Sequence, residues 1–176
     1  GETRSVYFGP HGSRNRPLAA FAPNFTAFDA AGRKVRLSDF RGSFVVLDLL
    51  PPPAPGDPAK AFSSYFDFLP FLNATNQVVD RLNSKRVVSL VLVQRDSAPN
   101  AVRVFRSAVA AQRAALPRVR FLREAAEYFS PAYPQRFVIG PDGTIRHHYS
   151  DDGPASLSVF KDEARLERAL RSALKR

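Results

Sequence analysis

A chain of 176 residues with 44% hydrophobic content and 15 phenylalanines is long enough to bury one sizeable core. It contains no cysteine, which excludes disulfides, a thiolate nucleophile, a thiol redox couple and any cysteine-ligated metal. The net charge of +10, built from 21 Arg and 5 Lys against 16 acids, favours an anionic partner: nucleic acid, anionic lipid or an acidic protein.

Residues 1–22 hold Gly1, Gly9, Pro10, Gly12 and Pro17 with Arg4, Arg14 and Arg16, and show no sustained period. They read as an extended basic arm, leaving 23–176 as the folded domain. Gly1 in place of methionine fits either a processed or a trimmed chain, so an address segment is not expected within this sequence. Phe25/Ala27 and Val35/Leu37 alternate with polar residues around Asp29–Gly32, the pattern of a β-hairpin. Ser38 is placed to cap a single helical turn. Phe44–Leu50 is nearly all apolar, as a strand buried on both faces should be.

Five prolines between Pro51 and Pro58 rule out helix and central strand, so this stretch predicts a stiff connector or a polyproline-type ligand. From Pro58 to Lys85, Phe62, Tyr65, Phe66, Leu69, Leu72, Val79 and Leu82 recur at helical spacing, with a kink expected at Pro70. Arg86–Val93 predicts a second core strand. Asn100 then offers an N-cap for a helix that buries Val102, Phe105, Val109 and Leu116. Arg103, Arg106 and Arg113 lie within about 80° of one another on the flank of that face.

Pro117 ends the helix, Val119–Leu122 predicts a short strand, and Glu124–Phe129 one or two helical turns. Tyr133-Pro134 opens the apolar run Phe137–Ile139, and its peptide bond is either cis or an ordinary trans proline at a strand start. Pro141-Asp142-Gly143 supplies a turn, and Thr144–Tyr149 the returning strand. Asp151–Pro154 is a loop. Asp162–Lys175 is amphipathic, with Leu166, Leu170, Ala173 and Leu174 facing inward. No apolar run approaches the roughly 20 residues that span a bilayer. The element order predicts an α/β sandwich whose mixed central sheet carries an N-terminal β-hairpin extension.

Ala22-Pro23-Asn24-Phe25, with Gly32, Val35, Leu37–Gly42 and Val45–Leu47, resembles the opening of TlpA-like and peroxiredoxin-related proteins of the thioredoxin-fold superfamily. Tyr133-Pro134 through Ile145 resembles their cis-proline strand and turn. The resemblance implies a thioredoxin-like domain and a Cys-x-x-Cys pair opening a proline-kinked helix. Counted straight on from the strand, the pair falls at Ala54 and Asp57. Counted from Pro70 and the following strand, it falls at Phe62 and Tyr65, the register favoured here because the proline-rich loop absorbs the extra residues. The vestigial site is then Phe62, Ser63, Ser64, Tyr65 and Pro134, and neither register holds a thiol.

Other catalysts are poorly placed. Ser63 and Ser64 need an adjacent base to become nucleophiles. His147 and His148 are neighbours on a strand, so they point to opposite faces and cannot chelate one metal. Asp48 sits on a buried strand, either as a base with raised pKa or paired. No cofactor or metal is expected. The run 101–123 carries Arg103, Arg106, Arg113, Arg118, Arg120 and Arg123 without one acid, and guanidinium forks suit phosphate. The same arginines also suit salt bridges to acids elsewhere in the fold.

The expectation is a redox-inactive structural or binding subunit of a large assembly, with other protein subunits and RNA as partners. An organellar ribosome or other ribonucleoprotein, in the mitochondrial matrix or another organelle, comes first. A protein-only scaffold or assembly factor of a membrane respiratory complex or bacterial envelope comes second, and a cysteine-independent oxidoreductase third.

Overall fold

All seven residues of Phe44–Leu50 are buried, and the fold is built outward from this strand. The computed structural model describes residues 21–50, 57–93, 98–124, 135–150 and 163–176. The N-terminal hairpin joins β1 (Thr26–Asp29) to β2 (Lys34–Arg36), and a 3-10 turn at Leu37–Phe40 leads into β3 (Phe44–Leu50). Then come α1 (Pro58–Ser64), α2 (Leu69–Leu82), β4 (Val87–Val93), α3 (Ala101–Gln112) and β5 (Val119–Glu124). β6 (Gln135–Ile139), β7 (Ile145–Ser150) and α4 (Glu163–Leu174) complete the described chain. The seven strands form one mixed sheet in the order β2-β1-β5-β4-β3-β6-β7. β3, β4 and β5 run parallel, and the other pairings are antiparallel.

Strand alternation divides the core. Val45, Leu47, Leu49, Leu90, Leu92, Leu122, Phe137 and Ile139 face one way, against Phe25 and Leu37 from the N-terminal segment. On the other face, α1, α2 and α3 close over Leu50, Val91, Val93 and Phe121, while α2 and α4 close over Val46, Val87 and Val138. The predicted mixed α/β sheet with its N-terminal hairpin is therefore the observed architecture.

Three local expectations need correction. The helix expected over 58–85 is two helices. An unbroken helix would need an N–H at position 70 for the Phe66 carbonyl; proline has none, and the Leu69 N–H takes that carbonyl instead at 3.1 Å. Pro70 thus sits in the first turn of α2, where a missing donor costs least. On α3 the buried residues are Ala101, Val104, Phe105, Ala108 and Gln112, whereas Val102 is 40% exposed. Ala101 and Ala108 thus share the buried arc with Val104 and Phe105, and Val102 lies outside it. Ser38 does not cap the short turn: its own N–H donates to Asn24 Oδ1 at 2.9 Å, and Asp39 Oδ2 accepts from the Arg36 N–H at 2.8 Å. Phe21 bridges Thr144, and the Ala22 N–H donates to the Gly143 carbonyl at 2.9 Å. Residues 1–20, the proline run at 51–56, the helical turns expected over 125–129 and Pro134 lie outside the described residues.

Candidate functional site

The region read as a vestigial redox site centres on α1. Asp57 occupies the N-cap of this helix and accepts from the Ala59 N–H at 2.9 Å, with Pro58 in the first turn. Phe62 and Ser63 lie in the last turn, and Tyr65 is the C-cap. Asp57, the second position of the register counted straight on from β3, is thus the N-cap of α1, and Phe62 and Tyr65, the positions of the other register, lie at its C-terminal end.

The α1 side chains are turned to packing. Tyr65 is buried with its ring 6.3 Å from Phe105, and Phe62 packs on Phe66 at 5.2 Å. Ser63 Oγ donates to the Lys60 carbonyl at 3.0 Å and Ser64 Oγ to the Ala61 carbonyl at 2.8 Å, so both hydroxyls bond back onto their own helix. Gln112 Nε2 donates to the Tyr65 carbonyl at 3.3 Å and ties α3 to the end of α1.

Asp48 is central, paired and sealed. Arg136 Nε donates to its Oδ1 at 2.7 Å, and Thr75 Oγ1 donates to Oδ2 at 2.9 Å. Arg136 also donates to the Phe71 carbonyl at 2.9 Å and lies 4.0 Å from the Phe71 ring centroid. Both Asp48 oxygens are thus engaged, and of the two expectations for this residue the paired one is observed. His148 stacks on Phe137 at 4.3 Å, whereas His147 lines a cleft with Phe44 and Arg86 on the helical side of the sheet. The two imidazoles do point to opposite faces. Burial, and then the Arg165 charge, lower the His147 pKa. Among the described residues no group of three or more His, Asp or Glu can hold a metal ion.

The six arginines of 101–123 do not act alike. Arg118 Nε pairs with Asp80 at 2.9 Å, and Arg120 reaches Asp29 at 3.3 Å while its guanidinium covers the Phe40 ring. Arg123 lies over Phe28. Among the described residues, salt bridges therefore engage two of the six. Arg103, Arg106 and Arg113 are exposed along α3, and no acid among the described residues pairs with them. Two of them reach the turn of the β1–β2 hairpin: Arg106 Nη2 comes within 3.6 Å of the Cβ position at Gly32, and Arg113 lines a cleft with Asp29, Ala30 and Ala31.

That turn adds a cation the sequence reading missed. Arg33 Nε pairs with Asp29 at 2.9 Å, and Asp29 also accepts from the Ala31 and Arg33 amides at 3.0 and 2.9 Å. Burial pushes the Asp29 carboxyl up, but these donors and the Arg120 fork outweigh it and hold the pKa below the ordinary value. Antiparallel pairing of β1 with Leu122–Glu124 brings Arg33 to the C-terminal end of α3. No spacing along the chain signals that meeting.

No protein-family model matches the sequence, and no curated protein matches it. Solved structures do. A secreted Mycobacterium tuberculosis disulfide oxidoreductase homologous to E. coli DsbE is 19% identical, with TM-score 0.56 over 85% of this chain and 96% of that one. A thiol peroxidase from Chromobacterium violaceum is 13% identical, with TM-score 0.61 over 89% of this chain and 87% of that one. Arabidopsis thaliana ScoI with copper bound is 12% identical, with TM-score 0.57 over 87% of this chain and 99% of that one. The shared feature is the fold: this chain is a thioredoxin-like α/β domain, similar in architecture to thiol-dependent redox proteins and itself without a cysteine.

Proposed function

We propose that this chain is a thioredoxin-fold binding domain that transfers no electrons and serves as a structural subunit of a large assembly. The observation that carries the reading is the pairing of this fold with a sequence that has no cysteine, so thiol–disulfide chemistry is closed to it. Ser63, Ser64 and Asp48 are engaged in bonds of their own, which argues against a substitute nucleophile or base.

The charge pattern suggests the kind of partner. Arg103, Arg106 and Arg113 form an exposed row along one helix, and guanidinium groups in such a row suit successive phosphates. RNA of a ribonucleoprotein, such as an organellar ribosome, is the partner this row matches best. Binding there would release counterions, so affinity should fall steeply with salt.

The test is binding of a single-stranded oligonucleotide across a salt series. A strong negative slope is expected, shallower by about one unit for each phosphate contact removed in Arg106→Gln with Arg113→Gln. Binding that ignores salt would exclude RNA and point to a protein-only scaffold. Turnover in a disulfide-reduction or peroxide assay would overturn the non-catalytic reading.

A further inference from the structure

The N-terminal end of β5 borders a cleft of about 310 Å³ between the β1–β2 turn and the C-terminal end of α3, small but within the range of ligand pockets. β1 pairs only with Leu122–Glu124 of β5, so the outer edge of Val119–Phe121 opens into this space. Val109, Leu116 and Phe121 give the cleft an apolar floor. Arg33, Arg113 and Arg120 line it together with one carboxylate, that of Asp29. β3 and β5 both run parallel to β4, so the cleft lies at the opposite end of the sheet from the loop after β3.

We propose that this cleft is a binding site for a phosphate monoester carried on a planar apolar body. Three guanidinium groups against one carboxylate leave a local charge of +2, which complements the roughly −1.5 to −2 of a phosphomonoester at neutral pH better than the single charge of a carboxylate. The cations are positioned in advance. Asp29 holds Arg33 at 2.9 Å and Arg120 at 3.3 Å, while Arg113 has no acidic partner among the described residues and remains available to the ligand. Guanidinium forks give the phosphate bidentate donors, and the floor takes the ring that an inorganic ion lacks. This goes beyond the polyanion reading, because a short-chain ligand can occupy the cleft whether or not the α3 row binds RNA. The same chemistry is offered by a free mononucleotide and by the 5′-phosphorylated end of a strand.

Calorimetric titration of the full chain with phenyl phosphate and with inorganic phosphate tests the site. Phenyl phosphate should saturate at least tenfold tighter than inorganic phosphate. Arg113→Gln should weaken it tenfold or more, while Arg103→Gln, on the same helix outside the cleft, leaves it unchanged. Lack of saturation, equal affinity for both anions, or indifference to Arg113→Gln would overturn the proposal. A 5′-phosphorylated oligonucleotide that outcompetes its 5′-hydroxyl twin identifies a strand end as the source, and a mononucleotide that outcompetes both identifies a free metabolite. Retained phenyl phosphate binding without salt-dependent oligonucleotide binding would sink the RNA reading and leave the cleft standing.

Discussion

Asp48 Oδ1 and Arg136 Nε meet 2.7 Å apart in the middle of the sheet, with side chains 0% and 2% exposed. β3 and β6 are antiparallel neighbours in a register that sets these two residues opposite each other. Thr75 and the Phe71 carbonyl satisfy the remaining polar atoms, so the pair costs little while it is whole. Removing one partner leaves a buried charge. Asp48→Ala or Arg136→Ala should each destabilise the domain by about 3–5 kcal/mol, whereas Asp48→Leu with Arg136→Met should recover most of that loss. Urea denaturation of the four proteins measures it. Additive losses in the double variant would show that the two charges are not coupled.

Gly143 closes the turn between β6 and β7 at φ +84°, in the left-handed region that disfavours a Cβ. Its carbonyl accepts the Ala22 N–H, so the turn also anchors the start of the domain. A Cβ at Gly143 would collide with the Arg41 guanidinium, the mobile end of a long side chain. Gly143→Ala should therefore cost about 1 kcal/mol or somewhat more, chiefly from backbone strain. Adding Arg41→Ala should recover little of it, as thermal midpoints of the single and double variants would show. Full recovery would assign the cost to the collision.

The same turn sets an acid limit on stability. Hydrogen bonds from the Thr144 hydroxyl and amide, with Arg146 beside them, lower the Asp142 pKa to about 2. Unfolded, the carboxyl takes up its proton near pH 4. Between those values the unfolded chain binds more protons than the folded one, so stability is whole above about pH 4 and is lost as pH falls toward 2. Asp29, also held below its ordinary pKa, adds loss in the same direction. Denaturation midpoints should fall through this window in the wild type and fall less steeply in Asp142→Asn. Identical slopes would remove Asp142 as a contributor.

Phe105 is 1% exposed and joins α3 to Tyr65 at the end of α1. Phe105→Ala should cost about 3–5 kcal/mol by opening a cavity, whereas Val102→Ala, one turn position away on the exposed side, should stay within about 0.5 kcal/mol. Comparable losses at both positions would contradict the helix orientation.

Strands and turns were legible because their chemistry is local. Asp29–Gly32 and Pro141-Asp142-Gly143 announce hairpins, and Phe44–Leu50 announces a buried strand without knowledge of its neighbours. Asp48 stood out in that apolar run, but Arg136 lies 88 residues away and only the β3–β6 pairing introduces them. The buried face of α3 is hard to read because alanine carries little weight in an apolar pattern, and Ala101 and Ala108 are part of that face. The arginines of 101–123 were visible as a run. Their division into paired Arg118 and Arg120 and an exposed row at Arg103, Arg106 and Arg113 required Asp80 and Asp29 to be placed in space. Arg33 went unnoticed because it belongs to a different hairpin.

Gradient sedimentation of the endogenous protein, with and without ribonuclease treatment, tests membership of an RNA-containing assembly most directly. Migration with a particle far heavier than the 19.5 kDa of this chain is expected, with release to lighter fractions once RNA is digested. Migration as a free monomer before any treatment would contradict membership.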